Sequence, residues 1–188
     1  VLNGIDTDRW NPATDPHIPQ QFDLANLRVR AVNKAALQQE ARLPVRADVP
    51  LVGMVSRLDG VKGIDLLEPV LQQILLGDVQ FVLLGTGEPV YHEVLERLQA
   101  RFPDKMRVFL RYDDPLARRI YAGCDIFMMP SQFEPCGLGQ MIAMRYGAVP
   151  VVHKTGGRAD TVIDYHERPD KATGSAFSSF TPDAWREA

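Results

Sequence analysis

Leu51-Val52-Gly53-Met54-Val55-Ser56-Arg57-Leu58-Asp59-Gly60-Val61-Lys62-Gly63 passes from an apolar stretch into a polar, glycine-punctuated one, and an amphipathic stretch from Ile64 to Leu76 follows. A short apolar run of this kind suits a strand buried on both faces, and Gly77 suits the C-cap of the helix after it. The same unit recurs. Apolar runs lie at Val79 to Leu84, Met106 to Leu110, Ile126 to Met129 and Val149 to Val152, and the stretches Pro89 to Phe102 and Pro115 to Ala122 each open on a proline fit for a first helical turn. Strand alternating with helix predicts parallel strands with right-handed crossovers, which is the α/β class with a doubly wound sheet. In such a sheet, ligands bind beyond the carboxyl ends of the strands.

Outside this core the pattern changes. Trp10 to Pro19 carries several prolines, and a helical pattern then runs from about Leu24 to Leu43 with Asp23 as its candidate cap. After Thr161 the periodic signal weakens, the polar tract Glu167 to Ser175 reads as a loop, and Ala176 and Phe177 as a short strand. Thr181 and Pro182 have the form of an N-cap and first turn of a helix with little room to run, so the chain reads as an excised fragment. The expected organisation is one domain over residues 1–188. A lead-in and helix take residues 1–45, the sheet core 46–165, and a truncated tail 166–188.

Composition narrows the function classes. With 188 residues, 45% hydrophobic and 24% charged, the chain has ordinary globular proportions, and a formal net charge of −3 supplies no global field to draw it to nucleic acid or an anionic membrane. An anion site must then be local. Two cysteines, Cys124 and Cys136, are too few for a disulfide framework, which points to a reducing compartment. The sequence has no apolar run of about 18 residues and no charged-then-apolar leader.

The loops at the strand ends carry the candidate chemistry. Arg57 and Lys62 stand where the first strand hands over to a helix, and a planar guanidinium fork with a compact ammonium can neutralise a diphosphate without a metal; from spacing alone they are equally two solvated surface cations. Leu84-Gly85-Thr86-Gly87 ends the second strand, and its glycines either admit a ligand close to the backbone or form a tight turn. Tyr112, in Arg111-Tyr112-Asp113-Asp114-Pro115, is placed to stack on a nucleobase or to cover the core rim, with Asp113 or Asp114 read as a helix cap. The most informative loop is Pro130-Ser131-Gln132-Phe133-Glu134-Pro135-Cys136-Gly137-Leu138-Gly139-Gln140, which enters a helix whose free N–H groups suit a phosphate or a sugar hydroxyl. Glu134 just before it can accept from sugar hydroxyls or merely cap the helix. Lys154-Thr155-Gly156-Gly157-Arg158-Ala159-Asp160 either lines the same crevice or is a plain turn.

Together these residues resemble the C-terminal domain of the glycogen and starch synthases, retaining glucosyltransferases built of two Rossmann-like domains (the GT-B architecture). The resemblance runs from Asn3-Gly4-Ile5-Asp6 and Trp10-Asn11-Pro12, through Ser56-Arg57-Leu58 and Lys62-Gly63, to Glu134-Pro135-Cys136-Gly137-Leu138, Gln140-Met141, Ala143-Met144-Arg145-Tyr146-Gly147 and Thr155-Gly156-Gly157. It implies that Arg57 and Lys62 hold the donor diphosphate, that Tyr112 stacks on adenine, and that Glu134 meets the donor glucose. It also implies that the backbone at Cys136, Gly137 and Leu138 meets the sugar and the distal phosphate, with Gly85 and Gly139 lining the same site.

The implied reaction moves glucose from ADP-glucose to the non-reducing end of an α-1,4-glucan with retention, without metal or cofactor. The glucan would be held by an N-terminal domain outside these residues, leaving the fragment inactive alone. The implied compartment is a bacterial cytoplasm or a plastid stroma. Three positions depart from the family pattern: Val61 replaces a common glutamine, Gly139 a hydroxyl residue and Arg158 a leucine. The other readings are a nucleotide-binding regulatory module, or another enzyme of this architecture such as a phosphorylase or sugar-nucleotide epimerase. The Glu134 to Gln140 loop argues against both of those enzymes.

Overall fold

The structure, a computed structural model, describes residues 3–134, 137–155 and 161–187. Its strands are β1 (Leu51–Val55), β2 (Gln80–Leu84), β3 (Met106–Phe109), β4 (Ile126–Met129), β5 (Val149–His153) and β6 (Ser175–Phe177). Its helices are α1 (Arg30–Glu40), α2 (Ile64–Ile74), α3 (Pro89–Arg101), α4 (Asp114–Gly123), α5 (Gly139–Arg145) and α6 (Pro182–Glu187).

All strand pairs are parallel, in the order β3-β2-β1-β4-β5-β6. This is the Rossmann-like order, in which the chain reverses direction between β1 and β4 and opens a crevice beyond their carboxyl ends.

Alternation along each strand builds two cores. Phe81 and Leu83 of β2, with Val52 and Met54 of β1, face one layer, where they meet Leu67 and Leu71 of α2 and Leu95 and Leu98 of α3. Val82 and Leu84, with Leu51 and Phe127, face the other, meeting Leu37 of α1, Ile120 of α4 and Ile142 of α5. Burial on both faces explains why these strands read as apolar runs in the sequence.

Local chemistry sets the ends. Asp113 accepts from the Leu116 N–H at 2.9 Å and caps α4, the role read for Asp113 or Asp114. The Thr181 hydroxyl accepts from the Ala184 N–H at 3.3 Å at the start of α6, as predicted. Helix α2 stops at Ile74 with Leu75 as its C-cap, short of Gly77.

The helix expected from Leu24 begins only at Arg30, after a 3-10 turn over Leu27–Val29. Asp23 does not cap it. Its carboxylate takes the Ala25 N–H at 2.8 Å while Asn26 Oδ1 takes the Asp23 N–H at 2.7 Å, and these local bonds hold the segment in a turn that competes with helix. Among the described residues, no helix is long and apolar enough to cross a membrane.

Candidate functional site

The loops after β1 and β2 are laced together by their own backbones. Leu58 donates its N–H to Thr86 O at 3.0 Å and accepts from the Glu88 N–H at 2.9 Å, while the Ser56 N–H reaches Leu84 O at 3.1 Å. A Cβ at Gly85 would lie 2.0 Å from Ser56 O, so glycine there admits the neighbouring loop's backbone. The turn reading of Gly85 is thus the one the packing requires, although Gly85 also lines the crevice.

The loop after β1 is likewise pressed onto the loop after β4. Gly63 has φ 76°, and a Cβ there would meet Pro130 O at 2.4 Å, while the Gln132 N–H donates to Val61 O at 2.9 Å. This contact carries Glu134 over Lys62, with Nζ 2.5 Å from Oε2 and the two side chains 22% and 17% exposed. Arg57 reaches outward, 72% exposed, and its Nε lies 2.8 Å from Asp59 Oδ2. Asp59 Oδ1 accepts the Lys62 N–H at 3.0 Å, capping the 3-10 turn Gly60–Lys62. One carboxylate thereby meets the Arg57 side chain and the Lys62 backbone. The sequence reading gave Asp59 no role, although an aspartate three residues before Lys62 is the usual spacing of a side-chain cap.

Two adjoining cavities open at this point. The larger, about 510 Å³, is lined by Trp10, Arg57, Gly85, Tyr112, Leu138 and Gly139 among others. The smaller, about 260 Å³, is lined by Arg57, Lys62, Glu134, Gly137, Leu138 and Gly139 among others. They share Val55, Ser56, Arg57, Tyr121, Leu138 and Gly139, so a ligand with one aromatic and one polar end could span both.

Arg57, Lys62, Gly85, Tyr112, Glu134, Gly137, Leu138 and Gly139 are therefore gathered at one crevice from four loops. Cys136 lies outside the described residues, as does the Gly156–Asp160 segment with Arg158. Tyr112 stands 86% exposed at the mouth, beyond the edge strand β3. Gln140, fully buried, donates from Nε2 to Gly137 O at 2.9 Å and to Thr161 Oγ1 at 3.0 Å, tying Gly137 to Thr161. A separate cavity of about 610 Å³, between the Asn11–Leu27 segment and Met144 and Arg145, shares no residue with the crevice.

Behind the crevice lies a buried ionic network that the sequence did not reveal. The Arg118 guanidinium sits 4.4 Å from the Trp10 ring centre, and its Nη1 bonds Asp15 Oδ2 at 3.1 Å and Arg9 O at 2.9 Å. Its Nε bonds Asp114 at 3.0 Å, and the Tyr146 hydroxyl donates to Asp15 Oδ2 at 2.5 Å. Burial pushes the Asp15 carboxyl up, but hydrogen bonds from Tyr146, the His17 N–H and Arg118 outweigh it and hold the group below the ordinary carboxylate value. The Cys124 thiol is buried and is pushed up by desolvation to about 12, partly offset by Arg30, which leaves it an inert packing group.

Known proteins resemble this chain in sequence and fold. The family described as Glycosyl transferases group 1 matches residues 37–188. A glycogen synthase of Moorella thermoacetica is 51% identical over 184 residues, covering 98% of this chain and 38% of that protein. A glycogen synthase of Geotalea daltonii is 52% identical over 188 residues, covering 100% and 39%. The chain thus spans roughly two fifths of the length of these curated relatives. The catalytic domain of starch synthase IV from Arabidopsis thaliana, bound to ADP and acarbose, superposes with a TM-score of 0.94 at 40% identity, covering 100% of this chain and 40% of that one. The chain belongs to the Glycosyl transferases group 1 family, and its likeness there is to the C-terminal, Rossmann-like region of the glycogen and starch synthases.

Proposed function

We propose that this chain is the donor-binding domain of a glucosyltransferase that moves glucose from ADP-glucose to the non-reducing end of an α-1,4-glucan, glycogen or starch, with retention of configuration. The observation that carries the reading is the convergence of Arg57 and Lys62 with the Glu134 carboxylate at the reversal point of the sheet. Two cations beside one sugar-accepting carboxylate match a hexose joined to a diphosphate. The starch synthase IV neighbour, at 40% identity, holds ADP, which supports adenine as the base.

In this reading the bond between glucose C1 and the distal phosphate oxygen breaks, the acceptor oxygen bonds to C1, and the acceptor proton leaves with ADP. Negative charge grows on the departing diphosphate. Arg57 and Lys62 stabilise that charge more in the transition state than in the ground state. Glu134 accepts from the glucose hydroxyls and orients the ring, the backbone from Cys136 to Gly139 meets the sugar and distal phosphate, and Tyr112 stacks on adenine beside Gly85. We assign the charge balance to side chains and backbone, with no metal or cofactor. The remaining three fifths or so of the parent, judged from its relatives, would hold the glucan, so the isolated chain would turn over nothing. The bacterial relatives support a bacterial, cytoplasmic setting.

Calorimetric titration of the chain and of the full-length parent with ADP and UDP tests the reading. ADP should bind more tightly than UDP, and Arg57→Ala should weaken ADP by about 1.5–3 kcal/mol, the range for a hydrogen bond to a charged group. A folded full-length protein that binds neither nucleotide, or that binds ADP equally well without Arg57, would overturn it.

A further inference from the structure

We propose that Glu134, by pairing with Lys62, also makes the crevice favour a sugar-bearing nucleotide over the bare nucleoside diphosphate that the reaction leaves behind. This rests on the donor-site reading and adds product discrimination to it.

Two of the crevice cations, Arg57 and Lys62, are held differently. Arg57 is 72% exposed and pairs with Asp59 from the solvent side, where water screens the contact and a ligand can displace it readily. Lys62 and Glu134 are 22% and 17% exposed, and their 2.5 Å contact lies at the smaller cavity. With no ligand these four groups, Arg57, Lys62, Asp59 and Glu134, sum to zero, while Arg111 at the larger cavity pairs with Asp113.

The two nucleotides meet this arrangement unequally. The terminal phosphate of a bare nucleoside diphosphate has no ester substituent and carries close to two negative charges at neutral pH. In a sugar nucleotide the same phosphate is esterified by the sugar and carries one charge, and the sugar adds hydroxyl donors. A sugar hydroxyl can donate to Glu134, satisfying the carboxylate while Lys62 turns to the phosphate; an ammonium has three N–H donors, enough to touch both. A bare diphosphate brings no such donor. It leaves Glu134 to share the Lys62 ammonium with the phosphate, with no hydroxyl to satisfy the carboxylate, and sets its own doubled charge beside it. The pair therefore penalises the product selectively and speeds its departure.

The variant that reads this out is Glu134→Gln, which keeps shape and hydrogen bonding but removes the charge. In the full-length enzyme, ADP should bind about five- to tenfold more tightly than in wild type, as expected for one charge removed near the surface, and ADP-glucose should bind less well or no better. Inhibition of transfer by ADP should strengthen in parallel. In a Lys62→Met background the same Glu134→Gln change should give a smaller gain, because no ammonium is released. ADP binding to Glu134→Gln that is unchanged or weaker, while wild type binds ADP normally, overturns this inference alone. Wild type that binds no ADP overturns the donor-site reading and the inference with it. Thermal unfolding of each variant confirms that the proteins compared are folded.

Discussion

One carboxylate–cation constellation lies behind the crevice and another within it, and they differ in enclosure. In the first, Asp15 is fully enclosed at its side chain and Arg118 is 7% exposed, and four partners saturate them: Tyr146, Asp114, Arg9 O and the Trp10 face. In the second, Lys62 and Glu134 keep contact with a cavity and Lys62 keeps unused donors. Water is what separates them. A saturated, dry pair has nothing left to offer a ligand and fixes the chain, whereas a half-open pair with spare donors can exchange partners. The first ties the lead-in to the sheet and presents Trp10 to the crevice; the second is where chemistry can occur.

The comparison breaks hardest at Arg118. Replacing it by alanine leaves the Asp15 carboxylate buried without its cation, and removal of one partner from a buried pair costs about 3–5 kcal/mol. Urea unfolding of the chain should show that loss. A loss below about 1 kcal/mol would mean that water enters the network and that enclosure is not what distinguishes the two sites.

Lys62→Ala should show the opposite division. The carboxylate left behind, Glu134, reaches the cavity and can be hydrated, so stability should change by no more than about 0.5 kcal/mol, the level of ordinary surface substitutions. Transfer by the full-length enzyme should fall by about 10²–10³, the scale for losing one fixed group that faces developing charge. A variant that unfolds readily yet retains its rate would reverse the roles given to the two pairs.

These differences also mark what the sequence could disclose. Strands β1 to β5 were legible as short, largely apolar runs, contiguous in β1 and β2 because these are buried on both faces, and the loops that follow β1, β2 and β4 locate the crevice without further information. The start of α1 was misplaced because Asp23 and Asn26 bond their own neighbourhood, a contest that periodicity does not register. Gly85 was open between ligand and packing; its proximity to Ser56, which only the three-dimensional structure shows, adds a packing requirement for glycine at the crevice. The Asp15 network was invisible for a plainer reason. Its members are separated by 103 and 131 residues, and neither the aspartate in a proline-rich lead-in nor the arginine within an amphipathic helix departs from a surface pattern.

The finest test lies within the dry pair. Tyr146→Phe removes one hydroxyl that donates to Asp15 and fills nearly the same volume, so the loss at neutral pH should be about 1.5–3 kcal/mol at most, the range for a hydrogen bond to a charged acceptor. Its pH dependence carries the information. Asp15 in the folded chain lies below its ordinary value of 3.8, so its contribution to stability is fully present above that value and is lost as the pH falls through the lower folded one. Without the tyrosine the folded value rises toward 3.8 and the contribution shrinks. The stability gap between wild type and Tyr146→Phe should therefore be widest at neutral pH and close as the pH drops below about 4. A gap that stays constant across that range would assign the effect to packing of the ring against Trp10 and Tyr121 and not to the charge of Asp15.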